Sequence, residues 1–189
     1  MSIGREVRLK RIFSNPSGNL FGVAVDHFVG YGNAVSGGLA NLPKALAATM
    51  AGKPDSVTIQ VGTAKNLWVP YAGSAALIIQ GGCFTVDDRI SELLARPIDA
   101  VRLGADALAV AIPVRGRTEG KYLKWLTDSV REATEFNIPI KPQSASNVAI
   151  VFLLSKSLST KLLGFPSNKN SSLKCTIKYL PCLCKIWHD

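Results

Sequence analysis

The chain has 189 residues, of which 47% are hydrophobic and 7% aromatic, and a formal charge of +9. This length and composition are typical of one globular domain with a substantial core. The strongest apolar run, Val148–Leu154, is much shorter than the roughly 18 residues that a membrane-spanning helix needs. Since the first residues also lack the apolar segment of a secretory signal, we expect no membrane association and a cytoplasmic protein.

The positive charge is concentrated in the last quarter of the chain. Residues 143–189 carry six Lys, no Arg and one acid, Asp189, whereas residues 1–142 carry 16 basic and 12 acidic residues. Nucleic-acid-binding segments usually combine Lys with Arg and with aromatic side chains, and this segment does not. We therefore expect no nucleic-acid partner. Binding of an anionic polymer through the Lys-rich segment stays an alternative function.

The four cysteines indicate neither a disulfide framework nor a metal site. Cys83 stands alone, and Cys175, Cys182 and Cys184 lie near the end of the chain. Such usage is typical of a reducing compartment. The spacing of the last three, even with His188 nearby, is not that of a standard zinc site, so we expect no metal.

Short apolar runs, most of them ended by glycine or polar residues, alternate with helical patterns along the chain. The helical patterns are Leu42–Ala51, Arg89–Ala95, Pro97–Leu103 and Tyr122–Phe136. The connection after Gly62 is predicted as a loop. The predicted strands are Leu20–His27, Ser56–Val61, Ala75–Gln80, Ala107–Pro113 and a fifth that begins at Ile138. This α/β alternation predicts a parallel sheet, either doubly wound or closed into a barrel.

The character of the sequence changes after Pro142. We divide the chain into residues 1–142, the N-terminal part of a barrel, and residues 143–189, an atypical tail rich in Ser and Lys. The tail lacks a turn like Gly104–Asp106, which precedes the fourth predicted strand. One hypothesis is an altered reading frame or a retained intron. Agreement between genomic and transcript sequences, together with intact protein of this length, would disprove it.

The first part of the chain resembles the class I, Schiff-base fructose-bisphosphate aldolases of the bacterial and archaeal type. The resemblance implies a (β/α)₈ TIM-type barrel, for which about 250 residues are usual. We therefore expect an incomplete barrel of about five βα units. The segments that carry the resemblance are Gly4–Phe13, Gly22–Gly32, Tyr71–Gly73, Gly104–Val110 and Val114–Glu119.

The resemblance implies reversible aldol cleavage of a phosphorylated ketose, a small-molecule substrate, without metal or other cofactor. A lysine amine forms an imine with the ketone, and the iminium stabilises the carbanion. Lys178 is the candidate amine, since its distance along the chain from Asp26 suits the family, and Lys141 is a second possibility. The family's acid/base tyrosine has no counterpart at residues 141–147.

Further candidate residues follow from strand ends and from charge. Asp26 matches the family's aspartate at the end of the first strand, although an acid that caps a loop or pairs with a base is the alternative. His27 and Gln80 are candidate substrate contacts. Alternation along a strand directs His27 away from Asp26, so packing or loop anchoring is favoured for it. Arg115 is placed to meet a phosphate or simply to face solvent.

A non-catalytic barrel fragment is the alternative to an enzyme. An incomplete barrel leaves sheet edges that closure would have covered. We therefore expect the chain to form homo-oligomers or to associate with a partner chain.

Overall fold

A computed structural model describes residues 2–27, 38–85, 90–112 and 116–144. Within these residues, five strands form one parallel sheet in the order β1-β2-β3-β6-β7, while β4 and β5 form a separate antiparallel hairpin. Sheet neighbours follow one another along the chain, as in a barrel wall, and the order does not reverse as in a doubly wound sheet. The predicted incomplete barrel is therefore confirmed. The strands are β1 (Gly22–Ala24), β2 (Ser56–Gln60), β3 (Ala76–Gln80), β4 (Gly82–Phe84), β5 (Ser91–Leu93), β6 (Ala107–Ile112) and β7 (Ile140–Ser144).

Five α-helices accompany these strands in the described residues, together with short 3₁₀ helices at Val69–Tyr71 and Gly116–Thr118. Asn41 caps α2, since its side-chain oxygen accepts a 3.0 Å hydrogen bond from the Lys44 amide, and Pro43 lies in the first turn. Asn137 ends α5 in the left-handed conformation at φ 55°. The predicted helices at 42–51, 97–103 and 122–136 are confirmed. The helices are α1 (Ile3–Ile12), α2 (Leu42–Ala51), α3 (Val61–Leu67), α4 (Pro97–Arg102) and α5 (Glu119–Phe136).

The two faces of the sheet belong to two separate cores. Alternate strand residues such as Ile59, Ile79 and Leu108 are buried with Leu46 of α2 and Tyr122 of α5. The residues between them form a second cluster with the end of α1, made of Ile12, Leu20, Ala76, Ile78, Ala107 and Ala109. The first face is the helix-covered outside of the barrel wall and the second is its interior.

Helix α1, to which the sequence analysis assigned no element, covers the end at which the strands begin. Arg11 Nη1 lies 3.3 Å from Asp106 Oδ1, and Asp106 immediately precedes β6. The other carboxylate oxygen of Asp106 accepts a 3.3 Å hydrogen bond from the Leu77 amide near the start of β3. Asp106 thus joins α1 to two strands.

The predicted helix at 89–95 is wrong. Ser91–Leu93 is a strand that pairs with Gly82–Phe84, and the hairpin is closed by hydrogen bonds between Thr85 and Ile90 of 2.9 and 3.1 Å. Pairing with the preceding strand β4 has overridden the local helical preference. The prediction of a loop after Gly62 is also wrong in part, because helix α3 lies there.

No helix of the described residues is long and apolar enough to cross a membrane.

Candidate active site

Three polar side chains lie at the carboxyl ends of three neighbouring strands. Gln60 and Gln80 are the last residues of β2 and β3, and Asp26 follows β1 by two residues. Their exposures are only 6%, 3% and 8%. The carboxyl ends of parallel strands meet at one end of a barrel, and that end carries the active site in barrel enzymes.

Hydrogen bonds fix Asp26 through both its side chain and its main chain. Gln80 Nε2 donates to Asp26 Oδ2 at 2.7 Å, and Gln60 Nε2 donates to the Asp26 carbonyl at 3.2 Å. Gln80 Oε1 accepts from the Gly82 amide at 3.3 Å, which defines the orientation of its amide group. The carboxylate is therefore held in one position, as proton transfer to a bound substrate requires.

His27 contacts Asp26, so the prediction that the two side chains face apart is wrong. His27 Nδ1 lies 3.3 Å from Asp26 Oδ1, and both side chains are largely buried. Strand pairing ends at Ala24 and His27 is in a turn, so the alternation of a strand does not extend to these residues. A histidine at this distance stabilises the carboxylate when the imidazole is protonated.

Two buried oxygen atoms of this group receive no hydrogen bond from the described residues, namely Asp26 Oδ1 and Gln60 Oε1. Buried polar atoms are nearly always satisfied in folded proteins, by the protein itself, by water or by a ligand. Both atoms are acceptors, so they suit hydroxyl groups. The arrangement can therefore bind a polyhydroxylated molecule and accept a proton from it.

Gly81 brings β3 and the hairpin close to this group. Its amide donates to the Ala109 carbonyl at 2.7 Å, and a Cβ atom at this position would lie 2.8 Å from the carbonyl oxygen of Ala95. A side chain at 81 would therefore collide with main-chain atoms directly after Gln80. Glycine is required here by the close approach of the backbone.

The structure brings together three of the site residues predicted from the sequence, and a fourth, Lys141, lies on β7. Asp26, His27 and Gln80 form one group, whereas Arg115 and Lys178 lie outside the described residues. Sequence reasoning missed Gln60. A signal was available, since Gln60 is a polar residue near the end of a predicted strand, as Gln80 is, and it was not used.

The other polar features are separate from this group. A surface depression between α4 and α5 is lined by Arg96, Asp128, Glu132 and neighbouring residues, on the outer, helical side. Its charges largely pair with each other, as Arg96 Nη2 and Glu132 Oε2 do at 2.9 Å, which is typical of a solvated surface. Across residues 2–27, 38–85, 90–112 and 116–144, no three His, Cys, Asp or Glu side chains are grouped as a metal would require.

No protein-family profile matches the chain. Its fold is similar to a Schiff-base-forming fructose-1,6-bisphosphate aldolase and to an archaeal fructose-1,6-bisphosphate aldolase with its catalytic lysine bound to a carbinolamine intermediate. Each comparison has a TM-score of 0.60 and 24% identity, over 77% of this chain and 61% of the other. A fructose-bisphosphate aldolase from Slackia heliotrinireducens has a TM-score of 0.61 at 15% identity, over 76% of this chain and 51% of the other.

These likenesses establish the class of fold. The described residues form part of a (β/α)₈ barrel wall, and the three solved structures just described are fructose-bisphosphate aldolases. The chain spans about three fifths or less of the length of these structures. The predicted resemblance is confirmed at the level of the fold.

Proposed function

We propose that the protein is a Schiff-base aldolase that cleaves a phosphorylated ketose reversibly. The observation that carries this proposal is the buried carboxylate of Asp26, fixed by Gln80 at the carboxyl ends of the strands, with Oδ1 receiving no hydrogen bond from the described residues. Aldol cleavage needs a base at such a position, because a substrate hydroxyl must lose its proton as the carbon–carbon bond breaks. The likeness to Schiff-base aldolases supports the same chemistry.

Each side chain of the group has a role in this proposal. Asp26 accepts the hydroxyl proton, Gln80 orients the carboxylate, and His27 binds the substrate. Arg115 is proposed to bind the phosphate, for which an arginine fork is well suited. Lys178 is the amine that the family resemblance favours.

Two properties of the cleavage reaction test the proposal. Cleavage should not depend on a metal ion, and borohydride should abolish it only when substrate is present. Purified protein is assayed with fructose 1,6-bisphosphate in excess chelator, before and after borohydride treatment with and without substrate. We expect activity in chelator and its loss only after treatment with substrate, because borohydride reduces the imine and leaves the free amine intact. A folded chain that cleaves nothing, or whose activity the chelator removes, would contradict it.

A non-catalytic fragment that associates with other chains is the second candidate function. Among the described strands, β1 and β7 each pair with a single neighbour, so the outer edge of each has no partner within the described residues. Open parallel edges are templates for association. Light scattering after size exclusion tests the expected homo-oligomer. A stable monomer at high concentration would argue against association.

A further inference from the structure

The side-chain amide of Gln60 is held in one orientation. Its Nε2 atom donates to the Asp26 carbonyl at 3.2 Å, and an amide turned by half a rotation would set two acceptor oxygens against each other. Gln60 Oε1 is therefore fixed on the other side of the amide group. This oxygen is buried and receives no hydrogen bond from the described residues. It differs in this respect from Gln80, whose Oε1 accepts from the Gly82 amide.

Gln60 lies on the interior face of the barrel wall, beside Gln80. The two glutamines pair in the register of β2 and β3, and Gln80 pairs with Ala109, which belongs to the interior cluster. Residues paired in this way in a parallel sheet direct their side chains to the same face. The two buried oxygens that receive no hydrogen bond from the described residues, one on Gln60 and one on Asp26, thus belong to contacting residues. Both lie at the end of the barrel that enzymes use for chemistry.

A buried acceptor in this position requires a hydrogen-bond donor from the ligand. A hydroxyl group can donate, whereas a phosphate group at neutral pH presents acceptor oxygens. Hydroxyls on adjacent carbon atoms of a ketose are close enough to reach acceptors on two contacting residues. The part of the substrate beside Asp26 and Gln60 should therefore carry two neighbouring hydroxyls, with its phosphate groups farther away.

We propose that Gln60 determines substrate specificity by accepting a hydrogen bond from the hydroxyl next to the one that Asp26 deprotonates, an inference that rests on the proposed aldol reaction. The substrate is then a ketose with hydroxyls on adjacent carbons at the scissile bond. A substrate without the second hydroxyl leaves Gln60 Oε1 buried and unpaired. Sites that hydrogen-bond a substrate hydroxyl reject such analogues for this reason, and we expect a preference of about ten- to hundred-fold.

Aldol condensation by the full chain tests this preference on both sides of the new carbon–carbon bond. Dihydroxyacetone phosphate is compared with hydroxyacetone phosphate as the ketone, and glyceraldehyde 3-phosphate with 3-oxopropyl phosphate as the aldehyde. The second compound of each pair lacks one of the two hydroxyls that flank the reacting hydroxyl in the product. We expect a higher kcat/KM for the hydroxylated compound in one comparison, and that comparison identifies the hydroxyl that Gln60 binds.

Substitutions of the two glutamines separate recognition of the hydroxyl from support of Asp26. Neither methionine nor leucine accepts a strong hydrogen bond, so Q60M and Q60L should each reduce the preference by about ten-fold or more. Q80M is the matched control, because it also removes a hydrogen bond to Asp26. It should lower every kcat/KM by a similar factor and keep the preference. The intrinsic reactivity of each compound cancels when the preferences of two variants are compared.

The outcomes distinguish this inference from the proposed function. Condensation by the unchanged chain without a preference in either comparison would overturn the inference, since a water molecule would then satisfy Gln60 Oε1. A preference that persists in Q60M or Q60L, in a protein with a cooperative melting transition, would also overturn it. Both results leave the aldolase proposal standing. A folded, unchanged chain that forms no condensation product from any pair would remove the proposal and the inference together.

Discussion

Two buried aspartates lie at opposite ends of the same sheet in different surroundings. At the end where the strands begin, both oxygens of Asp106 are occupied, one by Arg11 and one by the Leu77 amide. At the other end, Asp26 Oδ2 accepts a hydrogen bond from Gln80, whereas Oδ1 lies 3.3 Å from His27 Nδ1 and receives no hydrogen bond from the described residues. Their exposures are nearly equal, 5% and 8%. Burial therefore does not distinguish the two aspartates. They differ in the hydrogen bonds that their carboxylate oxygens accept.

The difference agrees with the different roles of the two ends of a barrel. The end where the strands begin is closed by α1, and a charge there holds elements together. The end where the strands finish is the end that barrels use for chemistry. A structural acid is fully bonded within the protein, and an acid that acts on substrate keeps an acceptor available for it. The following experiments test whether the two acids are specialised in this way.

Removing the charge at 26 should have the largest effect, on activity. Asn in D26N keeps the shape of the side chain and can still accept from Gln80, but it cannot take a proton. We expect the kcat/KM for fructose 1,6-bisphosphate cleavage to fall by about 10²–10⁴-fold, the usual range for a general base. Urea unfolding should change by no more than about 1 kcal/mol. Undiminished cleavage by D26N would show that Asp26 is not the base.

Removing the carboxylate at 106 should lower the stability of the fold and leave the activity nearly unchanged. In D106A the buried Leu77 amide loses this acceptor, which costs about 1–3 kcal/mol in the free energy of unfolding. The Arg11 side chain is 62% exposed, so loss of the ion pair itself adds little. Chemical denaturation measures the loss, and kcat per folded molecule should stay near that of the unchanged protein. A large fall in kcat with no loss of stability would contradict the structural role assigned to Asp106.

Gly81 links stability to the position of Gln80. A methyl group in G81A would collide with the Ala95 carbonyl, and we expect a loss of about 1–3 kcal/mol from overpacking. Activity should also fall, because Gln80 would no longer orient Asp26. G62A is the matched control. Apart from its chain neighbours and the backbone of its own helix, no atom lies within 4 Å of the added methyl there, and alanine favours helix α3 by up to about 1 kcal/mol. Equal stability of the two variants would contradict the close approach at Gly81.

The smallest expected effect concerns Cys83, which lies on β4, three residues after Gln80. Burial, followed by the negative charge of Glu92, raises the pKa of this thiol above its ordinary value of 9.0. At pH 8 we expect iodoacetamide to modify Cys83 roughly ten-fold or more slowly in the folded chain than in urea, by peptide mapping. Because the pKa is raised on folding, the associated stabilisation is complete below pH 9.0 and is lost as pH rises through the higher value. Equal rates would show that the strand end at Cys83 is open.

Periodicity and turn residues predicted most of the sheet and its helices. The bounds of α2 were found to the residue, because Asn41 and Pro43 begin a helix and Gly52 lies at its end. Runs such as Ala107–Ile112 are apolar on both faces, as a strand buried between helices and a barrel interior must be. The candidate site was predicted in part, since Asp26 and Gln80 follow apolar strands directly.

The errors arose where contacts between elements decided the conformation of a segment. Ser91–Leu93 became a strand because Gly82–Phe84 offered hydrogen bonds, and local preference cannot anticipate that partner. His27 turned toward Asp26 because pairing of β1 stops at Ala24. Helix α1 was missed because its buried residues are few and its partners, such as Asp106, lie about a hundred positions away.

The sequence by itself determined the alternation of strands and helices, and with it the resemblance to a Schiff-base aldolase barrel, because hydrophobic periodicity is local. Only the tertiary structure decided which side chains meet. The register of β2 and β3 aligned Gln60 with Gln80, and the end of β1 set Asp26 against His27. A shift of one residue in any strand would turn these side chains to the other face, and register is set by packing between strands, not within them.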